Sequence, residues 1–569
     1  MSRRQPIDFN LWLMLGAGIY VLAWLLPDKG GPWRSFFNEW MAAAAFLPLA
    51  LWVGLRANNE ARQMPAAALG AMAIASVPIL QALAGQIQFR GDAILAVLYA
   101  SGMCFAIVIG QTWRKKKPAS VCTGLQLTAV CAALISVLLA TMQWLQVDSL
   151  GTMLVALPPN ARPTGNIGQS NHLSTLMAWG LVALWWRFES GGVSKLVALA
   201  LALCLLLGVA LSQSRTGWIQ LAILATAAFT LRARLRLRIS PVATILLLAA
   251  FAAAVLGWER VNATLQMAAS LTFEQQTSSG PRLHIWQQFV TAILAAPFFG
   301  YGWTQGGLAQ QAALLITPPL HIVASQAHNL VLDLCAWQGI PLTILMLAGA
   351  THWIWHRVSR IESVDTAMCA LALLLLLGHS LLEYPYQYTY FILPAALLVG
   401  VIEADTAPTA RWHIPQSVWL LVVSGMAGMM IWIGGEYLTA KESLERYRFE
   451  TARVGNTRAS TAPDAFVLTQ LSSLMVFVRI PPDSKLNKGQ LMEAERVVAR
   501  FPSGSNQFRL ASLLAHNSEP KKAAAMLSQL CAMQRAPHCE LAVAAWRTLA
   551  TTSSAMSTVA LPGAAKPER

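Results

Sequence analysis

Polar residues able to bind an anion recur in short motifs that separate long apolar segments. Gly, Asn and Gln accompany Arg162 within residues 162–172, and Arg215 follows Ser214 in a tight turn between two apolar segments. Arg282 occurs later, in a longer polar connection. A guanidinium group binds phosphate oxygens through paired hydrogen bonds and stays charged at any working pH. The three arginines therefore predict a site for a phosphate or pyrophosphate group.

A histidine and a carboxylate accompany these arginines. His328 and Asn329 open one apolar segment, and Glu383 closes another. Histidine transfers protons near neutral pH, so His328 is the candidate general base, and Glu383 could support it or pair with an arginine. Gln169, Asn171 and Asn329 are candidates for supporting polar contacts, as is Glu383. The connections that carry the motifs contain no paired carboxylates and no His/Cys cluster at metal-ligand spacing, so we expect neither a metal nor a cofactor.

The elements that must position these residues are membrane-spanning helices. The 569 residues are 56% hydrophobic and 12% charged, with a mean hydropathy of +0.51. Soluble proteins contain about 45–50% apolar residues. Apolar runs of spanning length predict about thirteen transmembrane helices. The predicted fold class is therefore an all-α, polytopic membrane protein that contacts lipid.

The positions of lysine and arginine predict the orientation of these helices. Basic clusters at residues 114–117 and 232–238 lie in one set of connections, whereas the motifs lie in the other, less basic set. The positive-inside rule then places the N-terminus in the cytoplasm and the motifs on the opposite, outer face of the membrane. The net charge of +15 is explained by this bias and gives no reason to expect nucleic acid.

One connection on the outer face, residues 258–327, is much longer than the others. A long connection of this kind usually carries function. Within it, residues 265–273 and 283–295 have the pattern of short amphipathic helices that could lie on the membrane face or cover a cavity.

The composition changes after residue 434. Charged, helix-forming segments joined by polar turns predict a separate domain on the outer side at residues 435–569, built either from helical hairpins of the tetratricopeptide kind or as an irregular bundle. Residues 1–434 form the predicted transmembrane domain. Cys531 and Cys539 lie close together in the polar domain and are predicted to form a disulfide in an oxidising compartment.

Each candidate residue also has a structural explanation. Arg215 could extend its guanidinium to lipid headgroups, and Arg282 could be an exposed residue at a helix N-terminus. His328 could cap a helix at the interface, and Asn171 is a common N-cap residue. The functional interpretation is favoured because all the motifs fall on one face of the membrane.

In their order along the chain, the motifs resemble the O-antigen ligase superfamily and, within it, the bacterial protein O-oligosaccharyltransferases. The resemblance covers about residues 150–400 and is carried by Gln169-Ser170-Asn171-His172, Ser214-Arg215, Arg282, Gly300-x-Gly302, His328-Asn329 and Glu383-Tyr384-Pro385. It implies a metal-independent GT-C-type glycosyltransferase that uses undecaprenyl-pyrophosphate-linked glycans at the periplasmic face of a bacterial inner membrane. By the same resemblance, Arg215, Arg282 and Arg162 bind the pyrophosphate, and His328 is the essential histidine.

Two positions depart from the pattern of that family. Ser170 stands where the branch commonly has proline, and Trp337 stands where an acidic residue often follows the His-Asn helix. Any role of that acid must be absent or fall to another carboxylate, such as Asp333 or Glu383.

The reaction that the resemblance implies is glycan transfer to a Ser or Thr hydroxyl of a pilin-like or other periplasmic protein. His328 would accept the hydroxyl proton, and attack opposite the departing pyrophosphate would invert the anomeric carbon. Two alternatives keep the donor and change the acceptor: an O-antigen ligase acting on lipid A core, and an O-antigen polymerase. A lipid-linked glycan flippase is an alternative of another class, and it predicts charged residues near mid-membrane and on both faces.

Overall fold

The chain folds into α-helices and short 3-10 turns. The computed structural model describes residues 11–27, 29–57, 62–147, 149–158, 161–266, 282–314, 316–407, 412–454 and 461–562. Within these ranges the β pairing is limited to an isolated bridge between Gln63 and His413. The prediction of an all-α, polytopic membrane protein is confirmed.

Among the described residues, nine helices lie between residues 11 and 266. They are α1 (Leu11–Leu25), α2 (Phe36–Arg56), α3 (Ala66–Leu83), α4 (Arg90–Lys116), α5 (Pro118–Trp144), α6 (Ser170–Glu189), α7 (Lys195–Ser212), α8 (Arg215–Leu235) and α9 (Pro241–Thr264). The next seven are α10 (Arg282–Ala295), α11 (Gly306–Ala313), α12 (Leu330–Gln338), α13 (Ile340–Val358), α14 (Val364–Ser380), α15 (Thr389–Thr406) and α16 (Gln416–Thr451). The C-terminal helices are α17 (Thr469–Arg479), α18 (Lys488–Arg500), α19 (Gly504–His516), α20 (Pro520–Met533), α21 (Ala536–Ala550) and α22 (Ser554–Ser557).

Several of these helices have the length and composition of membrane spans. In the described part of the chain, eight helices qualify, namely α2, α3, α4, α5, α7, α9, α15 and α16. Helices α1 and α14 are apolar but shorter. An α-helix rises 1.5 Å per residue, so about 20 residues cross the hydrocarbon core.

One predicted span is divided. The sequence predicts a continuous helix over residues 328–353, but the chain breaks at Gly339 between α12 and α13. Gly339 has a φ of +84°, and a Cβ there would lie 2.2 Å from the Phe298 carbonyl oxygen. Only glycine adopts such a position readily. The apolar composition continues through the break and outweighed its local signal, Gly339 followed by Pro341.

Two other predictions in this part of the chain have different outcomes. The amphipathic helix predicted at residues 283–295 is confirmed as α10. Most of the helix predicted at residues 265–273 lies outside the described residues.

Helix α16 continues without a break through Gly435, so the change in composition at that point falls inside one helix.

The chain divides into two compact units. The first comprises Met1–Ala75, Leu98–Ser278 and Leu347–Ile431. Helix α6 lies at its centre, because it packs against α5, α7, α8 and α14. Nearly all of α6 is buried, including Leu173, Leu176 and Trp179. Apolar side chains lie on all faces of α6, as expected for a helix in the interior of such a bundle.

The second unit comprises Ser76–Val97, Ser279–Met346 and Trp432–Arg569. Its C-terminal helices pack in succession, α17 on α18, α18 on α19, α19 on α20 and α20 on α21. Their amphipathic faces bury Val497, Leu510, Leu527 and Trp546. Cys531 and Cys539 form a disulfide with their Cα atoms 4.7 Å apart, which confirms the predicted pairing.

Candidate functional site

In the first unit, the N-terminal ends of α6 and α8 are joined by a side-chain hydrogen bond. Ser214 is the N-cap residue of α8, but its hydroxyl does not cap that helix. It donates instead to Asn171 Oδ1 at 2.7 Å, and both side chains are buried. Two helix N-termini, each with unsatisfied N–H groups and a partial positive charge, therefore meet at this bond.

A buried carboxylate completes this cluster. Glu383 Oε1 accepts a hydrogen bond of 2.7 Å from Asn171 Nδ2, and Glu383 Oε2 accepts a longer one of 3.4 Å from Gln169 Nε2. Glu383 is 4% exposed and follows α14, with its backbone N–H bonded to the His379 carbonyl. Three predicted residues thus form one network. Asn171 is not the N-cap of α6, because Gln169 occupies that position.

Two of the predicted arginines border this network. Arg215 is the first residue of α8 and is half-buried between the fully buried Ser214 and Thr216. Arg162 Nη1 donates to the backbone carbonyl of Gln213 at 3.1 Å. Gln213 is the C-cap of α7, so the Arg162 charge also offsets the negative end of that helix. Arg162 therefore has a structural role at the end of α7.

A second polar layer lies one helical turn further along α6. Thr175 Oγ1 is 2.7 Å from His379 Nδ1 and accepts a hydrogen bond of 2.8 Å from Gln220 Nε2. The three residues come from α6, α14 and α8, and all are buried. The sequence motifs do not include them. The available signal was polar residues inside otherwise apolar spans, which are costly in lipid unless they have partners.

Lys29 is a further cation, and it lies beside the loop of residues 162–169 that leads into α6. Gly168 has a φ of +83°, and a Cβ there would come within 2.8 Å of Lys29 Cε. Lys29 Nζ donates to Asn38 Oδ1 at 2.6 Å. The lysine stem therefore packs on the glycine of the 162–172 motif, next to Gln169. Its sequence neighbourhood has no motif, so only the fold brings it to this loop.

In the second unit, Arg282 and Asn329 stand at the start of two neighbouring helices. Arg282 is the first residue of α10, and Asn329 is the N-cap of α12. The two helices pack together, and Tyr301 fixes the C-terminal end of each. Its hydroxyl donates to the Ala292 carbonyl at 2.9 Å, and its N–H donates to the Ala336 carbonyl at 2.7 Å. The N-terminal ends of α10 and α12 therefore point in the same direction.

His328 precedes the cap of α12 and has an unusual backbone conformation. Its φ is +56°, in the left-handed region that non-glycine residues rarely adopt. Asn329 Oδ1 accepts from the N–H groups of Val331 and Leu332 at 3.0 and 3.2 Å. The capping role thus falls to Asn329 and not to His328, which is half-buried. The buried carboxylate of Asp333 accepts from the Ala327 N–H at 2.8 Å and so fixes the segment directly before His328.

The glycines of the Gly300-x-Gly302 motif have a packing role. Gly300 has a φ of +66°, and a Cβ there would lie 2.6 Å from the Ala336 carbonyl oxygen. The Gly302 N–H donates to the Trp337 carbonyl at 3.0 Å. The motif therefore lies against the last turn of α12. At this turn the ring of Trp337, one of the two departures from the family pattern, lies 5.3 Å from that of Trp303.

The predicted site residues thus form two groups. Arg162, Gln169, Asn171, Arg215 and Glu383 lie in the first unit, with Glu383, Asn171 and Gln169 in direct contact. Arg282, His328 and Asn329 lie in the second unit. Within the ranges that the structure describes, no group of three His, Cys, Asp or Glu side chains is arranged to hold a metal ion.

These features define a class: a polytopic helical membrane protein that carries arginines, a carboxylate network and a histidine at the ends of its helices. Three family models match successive parts of the chain, Protein glycosylation ligase at residues 163–188, O-Antigen ligase at residues 199–347 and Virulence factor membrane-bound polymerase, C-terminal, at residues 367–548. Arg215, Arg282 and His328 fall within the O-Antigen ligase match.

Two relatives from Acinetobacter baylyi are similar over most of their length. A General O-oligosaccharyltransferase is 27% identical over 540 residues, which cover 91% of this chain and 92% of the relative. A ComP-specific O-oligosaccharyltransferase is 23% identical over 457 residues, covering 78% of this chain and 81% of the relative. The matches confirm the resemblance to the O-antigen ligase superfamily and, within it, to the protein O-oligosaccharyltransferases.

Proposed function

We propose that this protein is a glycosyltransferase that moves an oligosaccharide from undecaprenyl pyrophosphate to a Ser or Thr hydroxyl of a pilin-like or other periplasmic protein. The observation that carries this function is the meeting of two helix N-termini at the Ser214–Asn171 hydrogen bond, with Arg215 at the head of one helix. Helix N-termini and a guanidinium together favour a phosphate group. The two A. baylyi relatives, both O-oligosaccharyltransferases by name, support a protein acceptor.

In this reaction the arginines stabilise the leaving group. Arg215 and Arg282, with Arg162, bind the pyrophosphate oxygens and offset the negative charge that develops as the glycosidic bond breaks. Each charge-assisted hydrogen bond contributes about 1.5–3 kcal/mol. Pyrophosphate is a good leaving group, so its departure needs no proton donor. Glu383 holds Asn171 and Gln169 in place, and thereby orders the loop that carries Arg162.

His328 acts on the acceptor. Its imidazole takes the proton of the Ser or Thr hydroxyl as the oxygen attacks the anomeric carbon, and general-base catalysis of this kind contributes about 10²–10⁴-fold. The new bond forms on the face opposite the pyrophosphate, so the product has inverted configuration. The positive φ of His328, with its neighbours fixed by Asn329 and Asp333, supports a residue held for a purpose other than capping.

We also propose the topology that this reaction requires. About thirteen spans, with the N-terminus in the cytoplasm, place the motifs, residues 258–327 and the C-terminal helical domain (435–569) in the periplasm, beyond a transmembrane domain of residues 1–434. The Cys531–Cys539 disulfide supports an oxidising compartment for that domain. A periplasm-active reporter is expected to be active at the C-terminal end and silent when inserted at Arg236; the opposite pattern would exclude this orientation.

The test of function is glycan transfer in cells that make a lipid-linked glycan. The protein is co-expressed with that pathway and with candidate acceptors, and acceptor mass is measured. Attachment of the whole glycan is expected with the wild type and not with Arg215→Ala, while Arg260→Ala, which removes an exposed arginine at the end of α9, is the matched control. A chelator is expected to leave transfer unchanged. Modification of lipid A core or polymerisation of the glycan, without any change in acceptor protein mass, would instead identify a ligase or polymerase.

A further inference from the structure

The C-terminal helical region (α17–α22) contacts the segment that leads to His328, and the contact is made by another histidine, His321. The backbone N–H of His321 donates to the Ala532 carbonyl at 2.9 Å. His321 Nδ1 lies 2.9 Å from the Cys531 carbonyl oxygen and 3.2 Å from that of Gln534. Both partners of Nδ1 are carbonyl oxygens, which only accept, so Nδ1 must carry a proton.

These carbonyl groups belong to the C-terminal end of α20. The last four carbonyls of an α-helix have no partner within the helix and need an external donor. His321 supplies two donors to this end of α20, one from its backbone and one from its ring. The Cys531–Cys539 disulfide links the last turn of α20 to the first turn of α21, directly at this contact. His321 therefore caps a helix far away in sequence, at a point that a covalent bond stabilises.

The segment from His321 to His328 is held at several points along its length. Gln310 of α11 accepts from the Ala324 N–H at 2.8 Å and donates to the Ile322 carbonyl at 2.8 Å. The Asp333 carboxylate binds the Ala327 N–H. At the two ends, His321 and His328 have φ values of +54° and +56°. Non-glycine residues keep such conformations only where the surroundings enforce them, so the segment depends on these anchors.

We propose that His321 is a positioning residue for His328, and that the C-terminal helical region acts through it as a brace for the histidine that takes the acceptor proton. This inference rests on the proposed function, because the brace is expected to affect the rate of glycan transfer. A general base must lie within hydrogen-bond reach of the hydroxyl, and a displacement of about 1 Å lowers the rate by about 10²-fold. Donor binding by Arg215 does not depend on the brace.

The test compares His321→Ala with two amide variants in the full-length protein. Asn places its Nδ2 where the histidine Nδ1 lies and tolerates a positive φ, whereas Gln carries its amide one bond further out. His321→Ala and His321→Gln are expected to lower kcat about tenfold or more, since each loses the ring donor to the end of α20 and lets His328 shift away from the acceptor hydroxyl. The donor KM is expected to stay within about twofold, and His321→Asn to restore most of the rate. His516→Ala is the matched control, because the His516 imidazole contacts the Ser512 carbonyl and the Ser553 hydroxyl, both among the C-terminal helices and away from residues 321–328.

Hydrogen exchange separates the brace from the chemistry. His321→Ala is expected to speed amide exchange over residues 322–329, and His321→Asn to restore protection, whether or not the wild type transfers glycan. Absence of transfer by the wild type would defeat the proposed function and leave this measurement intact. Wild-type kcat and exchange in His321→Ala would overturn the brace, as would an equal loss of kcat in His516→Ala. If His321→Ala does not accumulate, the comparison of His321→Gln with His321→Asn gives the same decision.

Discussion

Asn171 bridges Ser214 and Glu383 with the two ends of one side-chain amide. Its oxygen accepts from the Ser214 hydroxyl at 2.7 Å, and its nitrogen donates to the Glu383 carboxylate at 2.7 Å. An amide is suited to this place because it offers a donor and an acceptor at once. The bridge links the starts of α6 and α8 to the turn after α14, and Arg215 is the next residue after Ser214 along the chain.

The first prediction tests this bridge by exchanging its chemistry. Asn171→Asp places a second carboxylate against Glu383 and removes the donor, so we expect a loss of about 1–3 kcal/mol in stability and a strong loss of transfer. Adding Glu383→Gln restores one donor and one carboxylate, in reversed positions. The double variant should recover much of the lost stability and of the lost transfer. Thermal unfolding in detergent and acceptor mass are the measurements. A double variant no better than Asn171→Asp would mean that the two side chains do not act as a pair.

The second prediction concerns the charge and shape of Arg215. Arg215→Ala is expected to weaken binding of the lipid-linked donor about 10- to 100-fold, because a charge-assisted contact with the pyrophosphate is lost. Arg215→Lys should recover only part of this affinity, since an ammonium group cannot reproduce the two parallel bonds of a guanidinium. Donor binding to purified protein is the measurement, with Arg260→Ala as control. Equal binding by the Lys variant and the wild type would show that only the charge matters.

Hydropathy and local patterns predicted much of the fold, but they predicted few of the contacts between polar residues in the site. The disulfide, α10 and the C-terminal helices follow from local sequence, because caps, turns and amphipathic periods act over a few residues. The Asn171–Glu383 bond joins residues 212 positions apart, and the His321–Cys531 contact spans 210 positions. An apolar pattern reports burial and does not identify which distant polar groups meet. The break at Gly339 had a local signal in Gly339 and Pro341, but the apolar composition on both sides favoured one continuous span.

The third prediction tests the close packing at Gly300. In Gly300→Ala the new methyl group would meet the Ala336 carbonyl oxygen at 2.6 Å, and the residue would keep an unfavourable positive φ. We expect a loss of about 1–3 kcal/mol in stability. Gly307→Ala is the matched control, because nothing lies within 4 Å of a Cβ at that position in α11. Thermal unfolding in detergent checks both, and equal midpoints for the two variants would contradict the packing argument.

The last prediction separates proton transfer from donor binding. His328→Ala removes the proposed base but leaves Arg215 and Arg162 in place, so the donor should bind with affinity within about twofold of the wild type while transfer falls about 10²–10⁴-fold. Donor binding to purified protein and acceptor mass after a timed reaction measure the two effects. His284→Ala, an exposed histidine near the start of α10, is the control and should transfer normally. Wild-type transfer by His328→Ala at matched protein levels would remove the catalytic assignment. A loss of donor binding equal to the loss of transfer would place His328 among the pyrophosphate ligands instead.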